Sequence, residues 1–102
     1  MNIMRKEEIK QVKLNLQVNI FYQDDAFVAY TPALDMSTYG SSKKEAQANF
    51  EEMVETFLSS FDDAREFAQV LESLGWTKQK SKWQPPQIIS QQISVPASLM
   101  TI

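Results

Sequence analysis

The chain has 102 residues, 43% hydrophobic and 11% aromatic, so it is read as one domain able to bury a core without a staple. It contains neither Cys nor His, which excludes disulfides, thiol nucleophiles, thiolate or imidazole metal sites and His-based acid–base chemistry. Ten basic against thirteen acidic residues give a net charge of −3, a balance that does not favour nucleic acid. With only two Gly and four Pro, it has no low-complexity character. The charged first ten residues lead into no apolar run of signal-peptide type, and no stretch approaches the length of a membrane span, so a cytoplasmic location is expected.

Residues 12–22 alternate, with Val12, Leu14, Leu16, Val18, Ile20 and Tyr22 apolar and mostly Gln, Lys or Asn between them. That period of two predicts a strand with one dry and one wet face, broken on the wet side only by Phe21. Asp24 and Asp25 then form a turn into a second strand over 26–31. A two-residue loop sets Gln23 against Ala26, Tyr22 against Phe27, Phe21 against Val28 and Asn19 against Tyr30. Directly opposed residues share a face, so Phe21, Val28 and Tyr30 gather on the side opposite the core. Such a patch is either an oligomer or partner contact or a seat for the chain's own apolar tail around 88–95.

Pro32 ends the second strand, because it has no N–H for the ladder. A loop over 31–35 and a short third strand over 36–39 follow, and Gly40 supplies a turn. Ser42 and Glu45 are spaced as a capping box. Ala46, Phe50, Met53, Val54, Phe57, Leu58 and Phe61 then trace one stripe of an amphipathic helix. Asp63 and Glu66 open a second, shorter helix marked by Phe67, Val70, Leu71 and Leu74, with Gly75 as its left-handed terminator. Residues 76–83 read as a strand carrying Lys78, Lys80 and Lys82 along one side, and Pro85–Pro86 close the unit. The order β-β-β-α-α-β predicts an α+β domain over residues 1–86, a small antiparallel sheet with two helices on one face. Residues 87–102 form a C-terminal tail, extended or a short strand.

The segment 26–58 resembles the HicB family, the antitoxin partners of HicA–HicB toxin–antitoxin pairs. The residues that carry the likeness are Tyr30 in the strand, Pro32 and Leu34 in the loop, and Gly40, Ser42, Glu45 and Ala46 opening the helix. The alternating first strand and the Leu74-Gly75-Trp76 junction extend it to about residues 14–83. The resemblance implies a partial ribonuclease-H-like α+β fold and a non-catalytic protein, dimeric or larger, that binds a small basic RNA-cleaving toxin of HicA type. With it, Pro32, Leu34 and Tyr39 are expected as the partner-binding loop, while the patch of Phe21, Val28 and Tyr30 given by the hairpin register is expected as the oligomer interface. Where the family has Pro-Asp-Leu-Pro-Gly, this chain has Pro32-Ala33-Leu34-Asp35-Met36. The family's C-terminal DNA-binding module is not expected of it, since residues 93–99 supply only the opening strand of a ribbon-helix-helix.

Catalytic readings find little footing. Asp24, Asp25 and Asp35 lie in turns and loops where solvated carboxylates are ordinary, so neither a catalytic group, a metal nor a cofactor is expected. Between residues 43 and 74, eight acids face Lys43, Lys44 and Arg65, a local −5 that either steers a basic partner or simply solvates helix faces. Lys78, Lys80 and Lys82 flanked by Trp76 and Trp83 give the alternative reading, a nucleic-acid-binding strand, against edge protection with core tryptophans. Nucleic acid and membrane are not the expected partners; a second copy and a toxin-like protein are.

Overall fold

A computed structural model describes residues 14–98. Along them run β1 (Asn19–Gln23), β2 (Ala26–Thr31), β3 (Met36–Gly40), α1 (Lys43–Ser59), α2 (Ala64–Ser73), β4 (Thr77–Gln79) and β5 (Lys82–Gln84). The first three strands form an antiparallel sheet in the order β1-β2-β3, and β4 and β5 form a separate antiparallel pair. The architecture is α+β, as the pattern predicts. Residues 87–98 belong to no helix or strand.

Asp24 and Asp25 both adopt positive φ, 54° and 64°, so the β1–β2 loop is a two-residue turn of the hairpin kind. It sets the expected register, with Gln23 opposite Ala26, Phe21 opposite Val28 and Asn19 opposite Tyr30. The first strand is shorter than its alternation suggests. Pairing stops at Asn19 because β2 runs out at Thr31, and Pro32 beyond it has no N–H. Residues 14–18 still alternate in burial: Leu14, Leu16 and Val18 pack against the core while Asn15 and Gln17 face water. The dry face survives without the ladder. Val12 and Lys13 lie outside the described residues.

Helix α1 begins at Ser42, whose Oγ accepts the Glu45 N–H at 3.0 Å. The Glu45 carboxylate closes the box one residue early, accepting from Ser41 N–H instead of Ser42 N–H. Ala46, Phe50 and Val54 are buried, and α1 lies across β3 and β2. Phe61 falls beyond the helix, which ends at Ser59, yet it stacks edge-to-face on Phe57 at 5.2 Å and on Phe67 at 5.3 Å. Gly40 has a different duty from the expected turn. It is the last residue of β3, and a Cβ there would meet the Ala46 backbone nitrogen at 2.6 Å. Glycine lets the strand end pass against the first turn of α1.

Asp63 caps α2 by accepting Arg65 N–H at 2.8 Å. Gly75, at φ +92°, ends it as expected: Gly75 N–H donates to Glu72 O, and Trp76 N–H donates to Leu71 O, both at 3.0 Å. This double bond pattern turns the chain sharply and drops Trp76 beside Leu71 in the core. The Trp76 indole N–H then donates to the buried Ala33 carbonyl at 2.8 Å, a contact 43 residues apart in sequence. Ala29, Ala33, Leu34, Phe50, Leu71 and Trp76 form the centre of the core.

The stretch 76–83 is a hairpin, not the single strand expected. Lys80 and Ser81 both take positive φ, 51° and 72°, folding β4 back on β5 so that Lys78 faces Trp83. The lysine row is thereby broken: Lys78 and Lys82 sit on different strands and Lys80 sits in the turn.

Two measurements test this core. Trp76→Phe leaves the buried Ala33 carbonyl without a donor and should lower unfolding free energy by about 1–3 kcal/mol. Thr31, fully buried, has a hydroxyl with no partner among the described residues, so Thr31→Val should be neutral or stabilise by about 1 kcal/mol. Urea titration of both variants decides, and equal losses would contradict the assignment.

A second prediction concerns acid. The Ser41 N–H holds the Glu45 carboxyl below its usual range, so its contribution is present above the unfolded value near ~4.3 and lost as pH falls through the lower folded value. Between about pH 5 and 3 the wild type should lose more thermal stability than Glu45→Gln, which keeps an acceptor but has no such titration.

Candidate functional site

The second antiparallel pairing extends the outer face of the sheet. Val28 faces Tyr39 and Tyr30 faces Ser37, so Tyr39 joins Phe21, Val28 and Tyr30 on one surface. These side chains line an open groove of about 710 Å³ that runs between the two turns of the sheet. Helix α1 lies on the opposite face, packed on β2 and β3. Phe21 is 43% exposed and Tyr39 69%, while Val28 and Tyr30 are half-buried by their neighbours in the sheet.

The tail does not roof this groove. Ile88 packs against the core, but Ile89, Ile93 and Val95 stand 74%, 68% and 74% exposed. Of the two readings of the patch, cover by the chain's own tail is therefore not what the structure shows. The expected partner loop divides. Leu34 is only 4% exposed and belongs to the core, since the turn that carries it is drawn inward by the Trp76–Ala33 bond. Pro32 is half-buried beside it, whereas Tyr39 stands on the outer face with the other three. Grouping Tyr39 with that trio requires the β2–β3 register, which the loop length alone does not supply.

Carboxylates mark both ends of the groove. Asp24 lines it at the β1–β2 turn, and Asp35 sits at the β2–β3 turn with φ 53°. Tyr30 Oη donates to Asp35 Oδ1 at 3.1 Å, fixing the ring along the groove floor. Tyr22 Oη makes a similar bond to Asp25 Oδ1 at 3.3 Å on the other side of the hairpin. At the third strand, Asn49 Nδ2 donates to the Tyr39 carbonyl at 2.9 Å, so α1 fastens the backbone beneath the exposed ring.

The lysine-bearing hairpin leaves the alternative reading one of its two rings, since Trp83 is half-buried and Trp76 lies in the core. Trp76 is 2% exposed and its N–H is used. Trp83 carries Lys78 Nζ over its ring at 5.8 Å and meets Phe67 edge-to-face at 6.4 Å. Among the described residues, no three carboxylates converge as metal ligands, and no helix is long and apolar enough to cross a membrane.

The Asp35 bond, followed by partial burial and the nearby negative charge, raises the Tyr30 phenol above its ordinary value of ~10. Its stabilising share is present below that value and lost as pH climbs through the folded one. In an absorbance titration, Asp35→Asn should bring one tyrosine's ionisation down toward the others; an unchanged curve would contradict the contact. Comparison of the chain with protein-family models, with curated proteins and with solved structures gave no match.

Proposed function

We propose that the protein is a non-catalytic binding protein of HicB-like antitoxin type, which occludes a small basic RNA-cleaving partner. The observation that carries this reading is the groove on the outer sheet face: Phe21 and Tyr39 exposed beside half-buried Val28 and Tyr30, with Asp24 and Asp35 at the two turns. Aromatic side chains with few rotatable bonds are efficient interface anchors, and clustered rings over a rigid sheet lose little entropy on docking. No Lys or Arg lines the groove. A basic surface docking there meets acidic ends and no like charge, which favours encounter as well as orientation.

The mechanism is steric. A preformed face, held by the α1 contacts beneath it, covers the partner's RNA-binding surface without any change of covalent bonds. The sequence likeness at Gly40, Ser42, Glu45 and Ala46 supports the family assignment only through the helix start, where these residues build the close strand–helix contact and the cap. Oligomerisation belongs to the same reading, in a cytoplasmic setting.

Co-expression with the product of the adjacent reading frame tests it. A stable complex in which RNA cleavage is suppressed is the expected result. Val28→Glu and the more conservative Tyr39→Ala should each weaken the complex by about thirtyfold or more, the scale of a hot-spot loss near 2 kcal/mol, with melting of the free protein little changed for Tyr39→Ala. Undiminished binding by both variants, or no complex at all, would remove this reading.

A further inference from the structure

We infer that two copies of this chain exchange their C-terminal arms, residues 91–95 of each adding as a strand to the free edge of β1 in the other. This surface is separate from the outer groove and does not depend on the antitoxin reading.

The first observation is the edge itself. In the order β1-β2-β3, β1 is hydrogen-bonded on one side only, and all five of its residues are exposed. Helix α1 packs on β3 and β2, so Ile20 and Tyr22 on the inner face of β1 remain 38% and 63% exposed. Edge strands are ordinarily guarded by lysine, proline or a covering element. The β4–β5 hairpin follows that rule with three lysines, and the Tyr39 carbonyl of β3 is taken by Asn49. Nothing guards β1. Residues 14–23 hold no charged side chain.

The second observation is the arm. Residues 83–102 also hold no charge, in a chain that is 23% charged overall. Pro86 and Pro96 bracket residues 87–95, every one of which has an N–H to donate. Within that window Ile89, Ile93 and Val95 share one face of an extended strand, and Ser90, Gln92 and Ser94 share the other. Among the described residues no backbone hydrogen bond holds this segment. It touches its own body at Ile88 and through Gln17 Nε2 donating to Ser90 Oγ at 3.3 Å, and beyond that point its apolar side chains are open.

Edge and arm fit each other. With Tyr22 opposite Ile93 and Ile20 opposite Val95, residues 92–95 stand against residues 20–23, neither strand carries a charge to desolvate, and the Ile93–Val95 row continues the uncovered Ile20–Tyr22 row. Polar Gln92 and Ser94 then fall beside Gln23 and Phe21 on the other face. Main-chain bonds along two reciprocal pairings, with Ile93 and Val95 covering Ile20 and Tyr22, are the mode by which an extended segment adds to a free sheet edge. In the single chain the arm lies open instead of pairing with its own β1, so the occupant is the arm of a second copy.

The absence of native cysteine makes the test clean. Tyr22→Cys and Ile93→Cys variants are mixed and treated with a short thiol cross-linker. Covalent dimers from the mixture, with neither variant dimerising alone, are the expected result, and sedimentation should give a dimer mass. Ile93→Lys, on the open arm, should weaken that dimer by about tenfold or more while leaving the melting of the dilute chain unchanged. Cross-linking by Tyr22→Cys alone would replace arm exchange with edge-to-edge pairing. An intrachain link in the double variant, or a monomer throughout a dilution series, would overturn the proposal. Loss of dimer without loss of toxin-like binding, or the reverse through Tyr39→Ala, separates this surface from the outer groove.

Discussion

The bond from the Trp76 indole to the Ala33 carbonyl is the constraint on which the described fold depends. It joins the end of α2 to the turn between β2 and β3, segments that share no secondary structure. A buried carbonyl without a donor is costly, so the loop can lie inside the core only because an indole N–H is delivered to it. The delivery is itself local chemistry: Gly75 takes a positive φ that few other residues adopt easily, and the resulting reversal points Trp76 inward. Leu34 follows Ala33 into the core, Asp35 is forced to positive φ at the exit, and Tyr30 is held by its carboxylate. Thus a helix terminator forty residues downstream helps to order the floor of the outer groove.

Pro32 imposes the complementary constraint from the other side. By ending β2 it deprives residues 14–18 of a ladder while their alternate side chains remain anchored, Leu14 and Leu16 lying over Phe50, Val54 and Leu58 of α1. From Leu14 to Val18 the chain entering the sheet is therefore held by side-chain packing and by the Gln17–Ser90 side-chain bond, without a ladder. Packing fixes which face is dry; it does not satisfy backbone donors and acceptors, which stay available to water or to another strand. The same proline that closes one hairpin cleanly leaves the neighbouring edge open.

What the sequence made legible divides along that line. Short-range chemistry was readable: the Asp24–Asp25 turn, and with it the opposition of Phe21 and Val28, the Ser42 cap, the stripe of α1 and the Gly75 terminator. Alternation over 12–22 was read as a strand because period two reports burial of one face and says nothing about hydrogen-bond partners. The Lys80–Ser81 turn escaped because neither residue type favours positive φ, and Asn-Gly or Asp-Gly would have announced it. Leu34 is expected at a partner surface only through the likeness of its loop to the HicB family; its burial comes from Trp76, a residue no local pattern links to it. Tyr39 was singled out for the loop, but only the β2–β3 register brings it to the outer face.

The two proposed surfaces are compatible because a sheet has separable directions. Edge pairing uses the in-plane hydrogen-bonding direction, whereas groove docking uses the normal to the outer face. An added strand continuing the Ile20–Tyr22 row covers the helix side of β1 and leaves Val28, Tyr30 and Tyr39 open on the other. Phe21 alone stands near both, as the β1 residue of the groove and the central residue of the edge. Under these readings the dimer carries two grooves, one on each three-stranded sheet that the other copy's arm extends by a strand. An added strand bonds to the β1 backbone in the plane of the sheet and leaves the Phe21 ring on the outer face, so the groove keeps its lining whether or not the pair has assembled.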